Sequence, residues 1–207
     1  MAKNNDKKAV FLYETKDVLS GTAFPLMLQM ILSVTFIGMA TAFSEDDLLL
    51  SIIMLCIGEL FVGAAYFIFG RQSGITSVRK IVQNAKKREI GTSDKQALLC
   101  IGEYSAYKGF LIGFISCIPY IVFQIIQCAA PNSFCDFVLQ YVFGWAALFL
   151  PAIAGSGVSK WYNFLLVLFP VTVHGVTYII AAYREWAKQQ KVAILQSHGE
   201  DDKKEDK

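Results

Sequence analysis

The sequence predicts an all-α membrane protein, a bundle of five transmembrane helices. Hydrophobic residues make up 55% of the 207 residues and charged residues only 17%, against about 25% charged residues in soluble domains. Charged residues also divide the chain into five apolar runs, each with the roughly 20 residues that a helix needs to cross the hydrocarbon core. Such a run must be helical, because only a helix satisfies its own backbone polar groups in lipid. The predicted spans are Val18–Ser44, Leu48–Gly70, Gly109–Cys135, Phe137–Ser159 and Trp161–Tyr183.

Basic residues near the spans predict their orientation, since Lys and Arg accumulate on the cytoplasmic side. Segment 1–17 carries four lysines and loop 71–108 carries eight basic residues, whereas the loops around Glu45 and Pro131 carry none. We therefore predict a cytoplasmic N-terminal segment (1–17) and a cytoplasmic basic loop (71–108). We also predict that the protein lies in the plasma membrane and that residues 18–183, which include the basic loop, form one transmembrane domain.

The charges around the last two predicted spans conflict with five crossings. Five crossings place the C terminus outside, yet Arg184 and Lys188 follow the fifth span directly. We predict five full crossings because the fourth run has full length. The alternative is that the fourth run, which contains Pro151, enters the membrane and returns on the same side.

Two polar segments flank the spans. In the basic loop, apolar residues recur at helical spacing from Ile75 to Ala85, which is typical of a helix lying on an anionic membrane surface. A solvated loop that only satisfies the orientation rule is the alternative. The tail 184–207 is predicted to begin amphipathic and to become disordered from Gly199, where charges are dense. The predicted membrane-surface basic patch consists of Arg79, Lys80, Lys86, Lys87 and Arg88.

Glu59 is the only charged residue inside the five runs and the leading site candidate. Eleven uncharged residues separate it from Asp47 and eleven from Arg71. An ionised carboxylate at such depth is costly, so these residues face the bundle interior or water, and burial favours the neutral form. One hypothesis is a proton- or cation-handling site; the other is a neutral acid that donates one interhelical hydrogen bond. Its helical stripe contains Ile52, Cys56, Gly63, Tyr66 and Gly70.

Further polar and small residues recur every three or four positions, which places them on one face of a helix. Most of them are interpreted as packing surfaces and interhelical hydrogen bonds, with Gly109 and Gly113 forming a G-x-x-x-G contact. Together they can also line a polar seam, for which Gln29, Tyr120 and Gln124 are the candidates. The third span carries Gly109, Gly113, Ser116, Tyr120, Gln124 and Gln127, and the first carries Thr22, Pro25, Gln29 and Ser33.

His174, in the middle of the fifth predicted span, completes the candidates for binding a substrate or proton. It shares a proton with Glu59 if the two helices are neighbours; otherwise it is a satisfied buried hydrogen-bond partner. Four prolines within the spans, Pro25, Pro119, Pro151 and Pro170, predict kinked helices of the kind that often accompany membrane binding sites.

Cys128 and Cys135 bracket a short loop on the predicted outer side. They are the predicted disulfide pair if that loop faces an oxidising compartment, because disulfides persist there and not in the cytosol. Two free thiols are the alternative.

Enzyme chemistry has little support in the sequence. The chain has two histidines, too few for an H-E-x-x-H zinc site, and it carries no Walker A loop or dinucleotide fingerprint. Ser156 between two glycines, with His174 in the next span, resembles the dyad of intramembrane serine proteases, but Ala154 stands where that motif has glycine. We therefore predict no enzyme activity, no metal and no cofactor.

Three functional hypotheses follow, given in decreasing order of support from the sequence. The first is a small transporter, or the membrane subunit of one, that handles a solute or proton along Glu59, Gln124 and His174. The second is a non-catalytic scaffold that recruits partners through its basic loop and helix faces, and the third is an intramembrane hydrolase. The expected partners are the lipid bilayer and other membrane subunits or a second copy, and not nucleic acid, since the net charge is only +2. In size and span number the chain is similar to small substrate-binding membrane subunits of vitamin importers, although no motif carries that similarity.

Overall fold

A computed structural model describes residues 2–40, 48–90, 105–147 and 160–205. These residues are almost entirely helical, and no β-strand occurs among them, as the sequence predicts. The elements are α1 (Ala2–Ala40), α2 (Leu48–Glu89), α3 (Tyr107–Ala129), α4 (Ser133–Ala147), a 3-10 segment (Lys160–Val167) and α5 (Leu168–Glu205).

Four segments of these helices are long and apolar enough to cross a membrane: Leu12–Gly38, Leu48–Lys87, Tyr107–Ala129 and Phe164–Val192. Polar side chains such as Gln29 and His174 are buried between the helices, whereas large apolar ones such as Phe24, Leu60 and Leu111 are exposed. This is the reverse of the distribution found in water, where charged and polar residues cover the surface. The helices therefore indicate an integral membrane protein of the polytopic helical class.

The third helix is shorter than predicted because of Pro131. The predicted span continues to Cys135, but α3 ends at Ala129 and Ala130 leaves the helical conformation with φ −146° and ψ 80°. A residue that precedes proline is pushed out of the α region by the proline ring. Asn132 Oδ1 then accepts a hydrogen bond from the Cys135 backbone N–H at 2.8 Å and caps the start of α4.

The two polar segments that flank the spans are continuations of transmembrane helices. α2 runs without a break to Glu89; its 42 residues are about 63 Å long, roughly twice the hydrocarbon thickness. The basic segment is therefore in line with the second span, not a separate helix lying across the surface. Likewise, the tail predicted to be disordered from Gly199 continues α5 to Glu205, where acidic and basic residues three and four apart, such as Glu200 and Lys204, favour a helix.

The contacts between α2 and α5 fix the direction of the last helix. Gly70 of α2 lies against His174 of α5, and further along both helices Arg79 Nε pairs with Glu185 Oε1 at 2.9 Å. The two helices are therefore parallel. α1 is antiparallel to α2, and α3 is antiparallel to α5. The C-terminal part of α5 thus lies at the same end of the bundle as segment 1–17.

The predicted count of five spans is not confirmed. The fourth predicted span, 137–159, is described only as far as Ala147, and five net crossings would place the end of α5 opposite the start of α1. The final turn of α4 packs against α2: a Cβ atom added to Gly58 would lie 2.6 Å from the Trp145 carbonyl oxygen. Among the described residues, the helix interruption is at Phe143 (φ −126°, ψ 28°), within α4.

Kinks at the predicted prolines are not confirmed either. α1 contains Pro25 and α3 contains Pro119 within helices that continue on both sides. Pro170 lies in the first turn of α5, where backbone N–H groups make no intrahelical hydrogen bond. The proline therefore removes no helical hydrogen bond there. Pro151 lies outside the described residues.

Candidate functional site

Polar side chains from four helices meet in the middle of the bundle. We call this group the central polar cluster. It is almost inaccessible to solvent, with an exposed fraction of at most 3% for each member. The members are Gln29 of α1, Tyr66 of α2, Ser116 and Cys117 of α3, and His174 of α5.

Tyr66 connects three of these helices through its hydroxyl group. The oxygen accepts a hydrogen bond from Gln29 Nε2, and the O–H group lies 2.7 Å from Ser116 Oγ. Ser116 donates its own proton to the Gly113 carbonyl oxygen at 2.7 Å, so Tyr66 is the donor in the bond to Ser116. Cys117 Sγ lies 3.6 Å from the same hydroxyl. In a low dielectric such a chain holds α1, α2 and α3 in one register.

His174 is held by the backbone of α3. Its Nδ1 lies 2.7 Å from the Gly109 carbonyl oxygen, which can only accept, so Nδ1 carries the hydrogen. Nε2 is therefore an acceptor in the neutral ring, and it is buried with no hydrogen-bond partner in the described ranges. The imidazole packs edge to face against Tyr66, with ring centroids 6.0 Å apart and an interplanar angle of 79°.

Glycines allow the backbones around His174 to approach closely. A Cβ atom added to Gly70 would lie 2.2 Å from Thr177 Oγ1 and 2.6 Å from the His174 carbonyl oxygen. On the other side, a Cβ atom on Gly113 of α3 would lie 3.3 Å from His174 Cβ. Small residues at such contacts are the usual means of close helix packing in membranes. The sequence predicted Gly109 and Gly113 for this role, and both are buried.

Glu59 lies at the flank of the buried face of α2. The residue is half-buried, but both carboxyl oxygens are inaccessible and have no hydrogen-bond partner among the described residues, so the carboxyl group turns into the bundle. The predicted stripe is wrong at its N-terminal end, since Ile52 and Cys56 are exposed. Glu59 is two helical turns, about 10 Å, from Tyr66.

The structure does not bring Glu59 and His174 into a shared hydrogen bond. His174 bonds to Gly109 and lies beside Gly70, which is eleven residues further along α2 than Glu59. That separation corresponds to about 16 Å along the helix axis. Direct proton sharing between the two side chains therefore has no support in the geometry.

Tyr120 and Gln124 are buried, as predicted for the polar face of α3, but they lie beyond the central polar cluster. Tyr120 packs against Phe143 at 5.4 Å and Trp145 at 6.3 Å between ring centroids, inside the hydrophobic core. Gln124 Nε2 lies 4.0 Å from Cys128 Sγ. Gln29, by contrast, is a member of the cluster.

The two candidate disulfide cysteines are free thiols in the structure. Cys128 is half-buried and Cys135 is buried at the start of α4. Their oxidation outside the cell stays a prediction.

Two residues of the predicted basic patch, Arg79 and Lys80, form ion pairs at one end of the bundle. Besides the pair of Arg79 with Glu185, the Lys80 Nζ atom lies 3.0 Å from Asp17 Oδ1, and Lys108 Nζ lies 3.3 Å from Asp17 Oδ2. Lys86 and Lys87 are exposed on the last turns of α2, and the Arg88 side chain lies outside the description. We call the paired group the charged end: Asp17, Arg79, Lys80, Lys108 and Glu185.

Three members of the cluster and one neighbour were not among the predicted site residues. Tyr66 was visible on the stripe of Glu59, and Ser116 on the polar face of α3, but neither pattern distinguished them from packing residues. Cys117 was interpreted as packing. Trp145, whose Nε1 is buried with no hydrogen-bond partner among the residues that the structure describes, had no signal in the sequence.

Within the described ranges, no group of three or more His, Cys, Asp or Glu side chains is arranged to hold a metal ion. Comparisons with known protein families, with curated protein sequences and with solved structures find no match for this chain. Function is therefore inferred from the geometry of the bundle.

Proposed function

We propose that this protein is a small membrane transporter, or the membrane subunit of one, that moves a proton or small cation past the central polar cluster. The observation that carries this proposal is a set of buried polar atoms that have no hydrogen-bond partner within the part of the chain that the structure describes: Gln29 Oε1, both oxygens of Glu59, and His174 Nε2. Folded proteins satisfy most buried polar groups, and each unsatisfied one is costly. Several such atoms in the middle of one bundle favour a binding site in which a mobile ligand or water supplies the missing hydrogen-bond partners.

Polar groups continue from the cluster toward the charged end, which supports a path and not only a closed site. One turn beyond His174, the buried Tyr178 lies against Gly109 of α3. With Glu59 two turns away on the other side of Tyr66, the polar groups extend over much of the depth of the bundle.

Ion flux into proteoliposomes tests the transport proposal. Wild-type protein is reconstituted with a pH-sensitive dye inside, and an imposed membrane potential drives proton or cation entry. We expect flux above empty liposomes, and we expect Glu59→Gln to abolish it while the variant still folds, because glutamine keeps the shape but cannot carry charge. Glu89→Gln, which changes an exposed glutamate at the end of α2 outside the charged end, is the matched control and should keep full flux. Equal flux for wild type and Glu59→Gln, or none for wild type, would refute the proposal.

For topology, we propose four crossings in the plasma membrane, with segment 1–17, the end of α2 and the end of α5 in the cytoplasm. In this arrangement α4 (Ser133–Ala147) enters the membrane without crossing it. The parallel directions of α2 and α5 support it, and it places Arg184 and Lys188 on the side that the positive-inside rule requires.

Cysteine labelling in a background without native cysteines tests this topology. Gln83→Cys and Gln190→Cys should both be protected from an impermeant reagent in intact cells, whereas Asn132→Cys should be labelled. Labelling of Gln190→Cys alone among the first two would restore the five-span arrangement.

The second candidate is a non-catalytic scaffold, and the extended ends of α2 and α5 favour it. Tyr183 is 77% and Trp186 43% exposed on α5 near the charged end, where another membrane subunit or a second copy can bind. Mass measurement of the detergent-purified protein by light scattering, with Trp186→Ala as the variant, decides whether this surface mediates self-association. We propose no enzymatic activity, because the sequence carries no complete catalytic motif. Ser156 of the dyad-like motif lies outside the described residues.

A further inference from the structure

We propose that the central polar cluster binds a small ammonium-type cation, either ammonium or methylammonium. This inference rests on the proposed function, because it names the class of solute handled by the same cluster. It is drawn from the sign of the nearby charge and from the hydrogen-bonding character of the unpartnered atoms.

The charges around the cluster select a cation. The membrane segments 18–38, 48–70, 109–129 and 164–183 contain no Lys or Arg, and Glu59 is their single acidic residue. An anion in this apolar region would lack a counter-charge, which makes its burial prohibitive. A cation at the cluster is balanced by the Glu59 carboxylate on the same helix as Tyr66.

The unpartnered atoms beside Tyr66 are hydrogen-bond acceptors. The Gln29 amide already donates through Nε2, so its remaining atom is the acceptor Oε1. His174 donates through Nδ1, so its remaining atom is the lone pair of Nε2. Both side chains flank the Tyr66 ring, one at its hydroxyl and the other edge to face. A ligand that satisfies them must present N–H or O–H donors.

This donor requirement distinguishes ammonium from alkali metal ions. Hard metal cations prefer oxygen ligands, and an imidazole nitrogen is a poor ligand for them. An ammonium ion offers N–H groups that imidazole nitrogen, amide oxygen and carboxylate all accept as charge-assisted bonds. The Tyr66 ring adds an aromatic face, which also attracts such cations.

Equilibrium binding of radiolabelled methylammonium to the detergent-purified protein, by scintillation proximity, tests the proposal. We expect saturable binding that unlabelled ammonium displaces and that Na⁺ or K⁺ at equal ionic strength does not. Gln29→Leu should weaken binding about tenfold or more, the loss expected for one charged hydrogen bond. Glu59→Gln should also weaken binding, because it removes the counter-charge two helical turns from Tyr66. Glu185→Gln and Gln124→Leu are the matched controls, since they change the same residue types away from Glu59 and from the cluster. All variants are compared as monodisperse, folded protein.

Three results would each overturn the proposal: no saturable binding, equal competition by Na⁺ or K⁺, or unchanged affinity in both Glu59→Gln and Gln29→Leu. Water would then be the partner of Gln29 Oε1 and His174 Nε2. The assay has no membrane gradient, so it is independent of transport. Methylammonium binding without flux would defeat the transport proposal alone, whereas proton flux without methylammonium binding would defeat this one alone.

Discussion

The charged end and the central polar cluster hold polar side chains under opposite conditions. At the charged end, Asp17 is paired with Lys80 and Lys108, and the lysines remain partly exposed to solvent. In the cluster, Gln29, Tyr66 and His174 are at most 1% exposed. Exposed ion pairs are screened by water and salt and contribute little, whereas a buried polar group in a low dielectric stabilises or destabilises strongly according to its partners. The number of charges in a region is thus a poor guide to its energetic weight.

Gly70→Ala is expected to produce the largest change. Its methyl group would collide with the His174 carbonyl oxygen and Thr177 Oγ1, and overpacking of this kind costs about 1–3 kcal/mol. The free energy of unfolding in mixed micelles measures the loss. Gly38→Ala is the matched control, because an added Cβ there meets nothing within 4 Å. Equal effects of the two variants would show that α2 and α5 are not in close contact at the cluster.

Tyr66→Phe should have the next largest effect. The ring is kept, but Gln29 Nε2 and Ser116 Oγ lose their partner. Interhelical hydrogen bonds in membranes contribute about 1–2 kcal/mol at most, so we expect a destabilisation of that order by the same unfolding measurement. Tyr141→Phe, which removes the hydroxyl of an exposed tyrosine on α4, is the control and should change stability little. A neutral Tyr66→Phe would mean that water replaces the hydroxyl and that the cluster is wet.

Asp17→Asn tests the charged end and should cost less. Two lysine pairs are removed, each exposed enough for a contribution of about 0.2–1 kcal/mol. A loss larger than that of Tyr66→Phe would reverse the contrast between the two regions. Glu14→Gln, which removes the charge of an exposed acid on the same helix as Asp17 and raises the net charge by the same amount, is the control.

Ionic strength should produce the smallest effect and should separate the two regions. Raising salt from about 0.01 M to 1 M shortens the Debye length from about 30 Å to 3 Å. The stability difference between wild type and Asp17→Asn should therefore shrink with salt, while that between wild type and Tyr66→Phe should not. A salt-dependent Tyr66→Phe effect would place the cluster in contact with bulk solvent.

Some features of the bundle interior, including the central polar cluster, could be predicted from the sequence and others could not. The buried positions Thr22, Gln29 and Ser33 follow from helical spacing alone, because a helix in lipid hides its polar face. Glu59 was found by its isolation among apolar residues. The importance of Tyr66 was not evident, because an aromatic residue in a span is usually packing. Its role depends on Gln29 and Ser116, which come from other helices.

The sequence by itself determined the class of the protein: apolar runs of spanning length must be helices, since no other structure satisfies the backbone in lipid. It also indicated which face of α1 and α3 is buried. Only the tertiary structure decided that α5 runs parallel to α2, that Glu185 of α5 pairs with Arg79 of α2, and that His174 bonds to Gly109 and not to Glu59. The physical reason is that helical periodicity specifies a face within one segment. The choice of neighbours depends on close packing between segments distant in the chain, where glycines such as Gly70 and Gly113 admit one partner and exclude others.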